Sequence, residues 1–316
     1  MRVAVLKGGD SLERQVSLRS GARAEAALER LGHDVVAIDV GPDLVDRLGA
    51  ERPDVAFVAL HGRGGEDGTV QELLELLGIP YTASGPSACI RCMDKVLAKH
   101  ALRDAGLPTP DFYAFSQAAF EELGAARALP AIEERLDFPI VVKPAGQGSA
   151  LGIKFARTPA DVPGAIVAAF SYDTKVLLER HVAGRDLAVS VLEGSGGPEA
   201  LPVVEAVPNE EDFYDFEARY EIGRTTFTCP AELAPDVADR ARELALAAYG
   251  VLGCYGFARV DLMLDEASSE LTVLEANVIP GLTDTSLLPL AAEAAGITFE
   301  ALIARVVDLA VARTPA

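Results

Sequence analysis

Gly256-Phe-Ala-Arg-Val-Asp-Leu-Met-Leu264, followed by Leu271-Thr-Val-Leu-Glu-Ala276 and Asn277, is the stretch from which the architecture is best read. Polar and apolar residues alternate on both sides of Asp265-Glu-Ala-Ser-Ser-Glu270, and the pattern predicts a β-hairpin. Side chains two apart on a strand point the same way, so Arg259 and Asp261 share one face. Glu275 and Asn277 do the same at the end of the neighbouring strand, and the short turn brings the two pairs together. Two carboxylates and an amide oxygen form a hard, oxygen-only set suited to magnesium, which keeps waters and takes its other ligands from phosphates. By itself the hairpin also reads as a surface element with solvated charges, because paired acids on hairpins are common.

Around this hairpin the chain changes character twice. In the first 85 residues strands alternate with helices: Val3–Leu6, Glu13–Leu31, Asp34–Ile38, Val55–Leu60 and Val70–Leu77. That alternation predicts a parallel sheet covered on both faces. After the turn-rich Thr82-Ala-Ser-Gly-Pro86 comes a helix near Lys95–Ala105. Short strands follow at Phe112–Phe115, Ile140–Lys143, Gly152–Ala156 and Val176–Glu179, with helical runs at Gln117–Leu123 and Ala160–Phe170. This is an α+β module within an otherwise α/β chain. From Leu187 the sequence is strand-rich again, then helical over Pro235–Leu252, and two amphipathic helices near Leu287–Ala295 and Phe299–Val311 follow the hairpin. The expected division is 1–85, 86–180 and 181–316.

Bulk properties narrow the function classes. Half of the 316 residues are apolar, enough for a large core. Asp and Glu number 48 against 28 Lys and Arg, a formal charge of -20 that repels nucleic acid and anionic membranes. A local basic pocket for a nucleotide stays compatible with that balance. The amino terminus runs as a strand into a glycine turn, unlike a signal peptide, and no apolar stretch approaches the roughly 20 residues of a membrane span. The expected location is the cytoplasm. Cys89 and Cys92 form a C-x-x-C without a second half, since Cys229 and Cys254 lie far apart, so buried thiols are expected rather than a zinc or redox site.

Four further segments suggest ligand contact. Lys143-Pro-Ala-Gly-Gln-Gly-Ser-Ala-Leu-Gly152 lets backbone N–H groups approach phosphate oxygens, but lacks the ending of a P-loop. Lys143 at a strand end and Lys95 at a helix start can supply charge; a strand-end lysine also reads as a snorkelling surface residue. His61-Gly-Arg-Gly-Gly-Glu-Asp-Gly68 follows a buried-looking strand, at the carboxyl edge where α/β sheets bind ligands. Gly8-Gly9 leading to Glu13-Arg14 is a similar junction. Asp212-Phe-Tyr-Asp-Phe-Glu-Ala-Arg-Tyr220 reads as a long loop, either a lid or a packing plug.

Taken in order, these segments resemble the D-alanine–D-alanine ligases of the ATP-grasp superfamily over essentially the whole chain. The markers are Gly8-Gly9 to Ser17, His61 to Gly68, Met93-Asp-Lys95, the glycine loop, Phe216-Glu-Ala-Arg-Tyr220, Arg259-Val-Asp261, Leu274-Glu-Ala-Asn277 and Pro280-Gly-Leu-Thr-Asp-Thr-Ser-Leu287. The resemblance implies a three-domain ATP-grasp fold with an N-terminal parallel α/β sheet, ATP as substrate, two magnesium ions (or manganese) and a homodimer. It implies that Lys95, Lys143 and Arg219 meet phosphates under Gly148, Ser149 and Ala150, and that Glu179 and Asp186 hold adenosine. Asp261, Glu275 and Asn277 would bind metal. Glu13, with Ser149 and Tyr220, would orient the first D-alanine; Arg259, Gly281, Ser286, Leu287 and His61 would shape the second site.

The implied product is D-alanyl-D-alanine, a peptidoglycan precursor. D-lactate or D-serine as second substrate, or an ATP-binding relative without catalysis, are the alternatives. Departures from the family pattern are Ala150 for a second serine, Arg219 for lysine and Asp186 for glutamate. Val278 and Leu282 stand where threonine and methionine are usual.

Overall fold

The structure, a computed structural model, describes residues 1–209 and 223–313. Its first sheet is parallel, with β1 (Arg2–Gly8) between β2 (Asp34–Val40) and β3 (Val55–Val58). Val3, Ala4, Val5 and Leu6 are all inaccessible to solvent, the continuous apolar run expected of a strand covered on both faces. Helix α1 (Arg14–Arg30) buries Val16, Ser20, Ala24, Ala27 and Leu28, a stripe at helical spacing. The carboxyl ends of β1 and β3 therefore present Gly8–Glu13 and His61–Gly68 on one rim. Ser17 ties the two together: its hydroxyl accepts from the Gly8 N–H at 2.8 Å and donates to the Ala59 carbonyl at 2.8 Å.

The second sheet is antiparallel and small, ordered β4 (Phe112–Ser116), β7 (Lys175–Arg180), β5 (Ile140–Pro144), β6 (Lys154–Ala156). Helices α7 (Leu129–Leu136) and α8 (Val162–Phe170) contribute to its core through Ile132, Leu136, Ile166 and Ala169. The third sheet runs β11 (Thr225–Thr228), β10 (Val204–Pro208), β8 (Arg185–Gly194), β12 (Phe257–Leu264), β13 (Leu271–Asn277), with β9 (Gly197–Ala200) on β8. The hairpin of β12 and β13 is as expected, and the helices Pro235–Leu252, Leu287–Ala294 and Phe299–Ala312 accompany it.

Among the described residues, three eight-residue helices escape the sequence patterns: α2 (Leu44–Glu51), α4 (Pro86–Met93) and α7. The turn residues before α4 hide its start, although Pro86 at the first helical position favours one. Cys89 and Cys92 of α4, with Ala98 and Leu102 of α5 (Lys95–Asp104), lie in the core shared by the first and third sheets. Residues 86–104 thus pack outside the smaller core, in which Ile132 is the first fully buried member.

Cys89, Cys92 and Cys254 are buried and Cys229 is half-buried, and the C-x-x-C does not pair with itself. Cys92 Sγ sits 3.8 Å from Cys254 Sγ, while Cys89 Sγ donates to the Ser84 carbonyl at 3.5 Å. Burial pushes the Cys89 thiol well above its ordinary range, and Cys92 is raised by its hydrogen bond to Cys254 and by burial. Thiolates react and thiols do not, so the native protein is expected to expose only half-buried Cys229 to a thiol reagent. Titration with a chromogenic disulfide should find at most one group before unfolding and all four after; rapid labelling of Cys92 in the native state would contradict this.

Candidate active site

Between the second and third sheets lies a cavity of about 260 Å³. Its apolar wall comes from Val141, Ile153 and Phe155 on one side and Leu187, Met263 and Leu274 on the other. Its polar wall holds Lys95, Lys143, Glu179, Asp186, Asp261 and Glu275. An apolar slot with two ammonium groups at one end suits a planar base joined to a polyphosphate.

The hairpin builds the acidic end. Asp261 pairs in register with Glu275, and Arg259 with Asn277, so all four side chains leave the same face. The register then slips between Asp261 and Leu262, leaving Leu274 as an extra residue on β13. That bulge lets consecutive residues Leu274 and Glu275 both line the cavity. Arg259, 7% exposed, holds Asp261 through two hydrogen bonds of 2.6 and 2.8 Å. Lys95 Nζ lies 3.0 Å from Glu275 Oε2 and donates to the Gln147 carbonyl at 2.7 Å, joining the hairpin to the glycine loop. Cations therefore already sit against both carboxylates, which fits a place built to hold positive charge. Among the described residues no three His, Cys, Asp or Glu side chains converge, so a magnesium ion here would need the Asn277 amide oxygen, waters and phosphates.

The glycine loop closes onto the first sheet. Ser149 and Ala150 both have left-handed backbones, φ 50° and 58°, and Ser149 Oγ donates to Glu13 Oε2 at 2.5 Å. A Cβ on Gly148 would stand 2.4 Å from Glu13 Oε1, so only glycine permits this approach. Glu13 is 4% exposed, and burial together with the Glu66 carboxylate raises its pKa from 4.5 to about 7.

His61 is buried beside it, with Nδ1 3.4 Å from Glu66 and Nε2 3.1 Å from Ser20 Oγ. The Ser20 hydroxyl also accepts from the Leu282 N–H, so the His61 rim meets the Gly281–Leu287 segment. There Ser286 Oγ, 2.8 Å from Thr283 Oγ1, accepts from the Thr283 N–H and fills the space a Cβ on Gly281 would need.

Comparison with known proteins decides the family. The model for the D-ala D-ala ligase C-terminus matches residues 101–308, and that for the N-terminus matches 43–84. The D-alanine–D-alanine ligase of Moorella thermoacetica is 44% identical over 98% of this chain and 99% of its own. That of Carboxydothermus hydrogenoformans is 42% identical over 98% of each. The chain belongs to the D-alanine–D-alanine ligase family.

The crystal structure of the Bacillus anthracis D-alanine–D-alanine ligase superposes with a TM-score of 0.83 at 34% identity, covering 98% of this chain and 97% of that one. The same enzyme complexed with ATP gives 0.82 at 32%. The α/β ATP-grasp fold of the D-alanine–D-alanine ligases is thus the fold of this chain.

Of the residues marked in the sequence, Lys95, Lys143, Ala150, Glu179, Asp186, Asp261, Glu275 and Leu287 line the cavity between the second and third sheets. Glu13 and His61 line a second one at the rim of the first sheet, and Gly148 with Asn277 a small third, whereas Ser149, Arg259, Gly281 and Ser286 line none of the three. Tyr220 and Arg219 of the expected lid lie outside the described residues. Sequence reading missed Glu66, Lys99 and His181. Glu66 is buried against His61 and belongs to the quoted glycine motif, whose acids invited no role. Lys99 stands one helical turn after Lys95, a spacing that was legible. His181 lines the cavity with its ring 5.4 Å from Phe155, and burial lowers its pKa; nothing in the local pattern announces it. No helix among the described residues is long and apolar enough to cross a membrane.

Proposed function

We propose that the chain joins two D-alanines with ATP at the junction of the three sheets, through an acyl-phosphate intermediate. The observation that carries this is the unbroken contact path from Glu13 to Ser149, along the glycine loop to Gln147, through Lys95 to Glu275, and across the register to Asp261 and Arg259. A carboxylate able to hold an ammonium group and cations able to hold phosphates are thereby parts of one constellation.

In this reading Glu13 binds the ammonium group of the first D-alanine, and the Ser149 hydroxyl keeps that carboxylate in place. The substrate carboxylate attacks the γ-phosphorus of ATP, the bond to the bridging oxygen breaks and ADP leaves. Lys95 and Lys143 offset charge on the phosphates, with Gly148, Ser149 and Ala150 over them and Arg219 joining from the lid. Glu179 and Asp186 face the nucleoside. Two magnesium ions, held by Asp261, Glu275 and Asn277, would neutralise phosphate charge when bound. The second D-alanine, its ammonium having given a proton to solvent, then attacks the acyl carbon through nitrogen. The bond from that carbon to the phosphate oxygen breaks, phosphate departs with the remaining amine proton, and Arg259 stabilises the oxyanion. Gly281, Ser286 and Leu287 shape that second site, with His61 beside it, and Tyr220 helps exclude water. The homodimer rests on the resemblance, the division into an N-terminal unit and two grasping units on the resemblance together with the order of strands and helices, and the cytoplasmic setting on the sequence reading.

The test is phosphate release from ATP and magnesium with D-alanine, L-alanine, D-serine and D-lactate compared. Release requiring D-alanine, with D-alanyl-D-alanine as product and loss on chelation, is the expected result. Faster consumption of D-lactate or D-serine as second substrate would keep the chemistry and discard the acceptor. ATP binding without D-alanine-dependent release would discard the catalysis.

A further inference from the structure

Helix α5 carries two lysines on one face, and only the first reaches the cavity. Lys99 is 1% exposed, yet its ammonium lies 2.5 Å from Glu179 Oε2 and donates to Thr109 Oγ1 at 2.7 Å. The other oxygen of Glu179 accepts from Lys143 Nζ at 2.6 Å. Glu179 is 2% exposed; burial alone would raise its pKa, but Lys143 and Lys99 outweigh that and hold it low. Lys143 and Glu179 line the cavity and Lys99 stands behind them. Burial lowers the pKa of Lys99, with Glu179 opposing that and Lys143 adding to it. The contact at 2.5 Å to a carboxylate keeps it an ammonium group, so two ammonium groups face one carboxylate in a poorly solvated wall. Without Lys99, Glu179 and Lys143 would form a neutral pair, and strong attraction at low dielectric would hold the Lys143 ammonium on the carboxylate.

We infer that Lys99 is a positioning residue for the nucleotide: by occupying one oxygen of Glu179 it leaves the positive charge at Lys143 available to a phosphate. This rests on the reading of the cavity as the ATP site. Lys99 touches no substrate in this account and acts through Glu179 and Lys143.

The experiment compares KM for ATP, KM for D-alanine and kcat in the wild type, Lys99→Met, Lys99→Arg, Lys143→Met, Glu179→Gln and the Lys99→Met/Glu179→Gln double variant. Lys99→Met is expected to raise KM for ATP about tenfold while KM for D-alanine moves less than about twofold. Lys99→Arg, which keeps the charge, should recover most of the loss. In the Glu179→Gln background, where no carboxylate competes for Lys143, Lys99→Met should add no further rise. An unchanged KM for ATP in Lys99→Met, with Lys143→Met still raising it, would overturn the inference alone. An unchanged KM in both single lysine variants would overturn the placement of ATP itself. A parallel rise for both substrates would make Lys99 a packing residue and sink the proposal. If Lys99→Met fails to fold, the double variant against Glu179→Gln decides: equal KM supports the inference and a further rise refutes it.

Discussion

Arg259→Met is expected to lower kcat by about 10²–10³ while KM for ATP stays within a few-fold, the loss typical of removing one preorganised oxyanion donor. The guanidinium sits on β12 with its fork locked on Asp261, so it reaches the reaction zone already oriented and needs no reorganisation when charge develops. The same substitution removes two hydrogen bonds from a buried carboxylate, which costs on the order of 3–5 kcal/mol when one member of a buried pair is deleted. A drop in melting temperature should therefore accompany the loss of turnover. Arg259→Lys separates the two effects. It keeps the charge near Asp261 and should recover part of the stability, but a point charge cannot reproduce the fork, so kcat should stay at least about tenfold down. Steady-state phosphate release and thermal unfolding of the three proteins measure both. Turnover in Arg259→Met within threefold of wild type would be incompatible with an oxyanion role.

Glu13→Gln should produce opposite changes in activity and stability. The native protein holds Glu13 partly protonated near neutrality, because burial and Glu66 disfavour its charge and raise the pKa from 4.5 to about 7. A carboxyl group whose pKa is higher in the folded state binds more protons there than in the unfolded chain between those two values. Stability from this group is complete below about 4.5 and is lost as pH rises to about 7, by on the order of 3–4 kcal/mol. Glutamine has no charge to bury and can still accept from Ser149. The melting temperature of Glu13→Gln relative to wild type should therefore climb between pH 5 and about pH 7.5, then level off. Activity runs the other way, because only the anion can hold an ammonium group. In the wild type, kcat/KM for D-alanine should rise with pH through about 7. In Glu13→Gln it should be lower by about 10³ and lose that rise. A flat difference in melting temperature across this range would show that Glu13 is not titrating there.

Much of this organisation is legible without coordinates, for reasons that differ from element to element. The hairpin is readable because period-two alternation is a property of the strand itself: whatever packs beside it, Arg259 and Asp261 must share a face. The helix Pro235–Leu252 is predicted to the residue because proline opens it and Gly253, φ 71°, ends it, both local signals. The helices α2 and α7 bury only two residues each and α4 none larger than cysteine, so no apolar stripe marks them, whereas the equally short Leu287–Ala294 buries four. The bulge at Leu274 is likewise invisible, since either register satisfies the alternation locally.

The candidate site divides the same way. Residue types and their order along the chain point to an anionic-substrate chemistry with phosphates and hard cations: glycines where backbone must approach, lysines at element ends, an acid two residues after an arginine and another two residues before an asparagine. Tertiary structure alone decides which of them meet. Glu13 and Ser149 are 136 positions apart, and their hydrogen bond exists only because the glycine loop of one unit folds onto the rim of another. The altered acidity of Glu13 and the charge balance of Lys99, Glu179 and Lys143 follow from burial, which is a property of the packed whole. Short-range geometry is set by backbone sterics and can be read from sequence, whereas desolvation and long-range charge pairing arise only once distant segments have excluded water together.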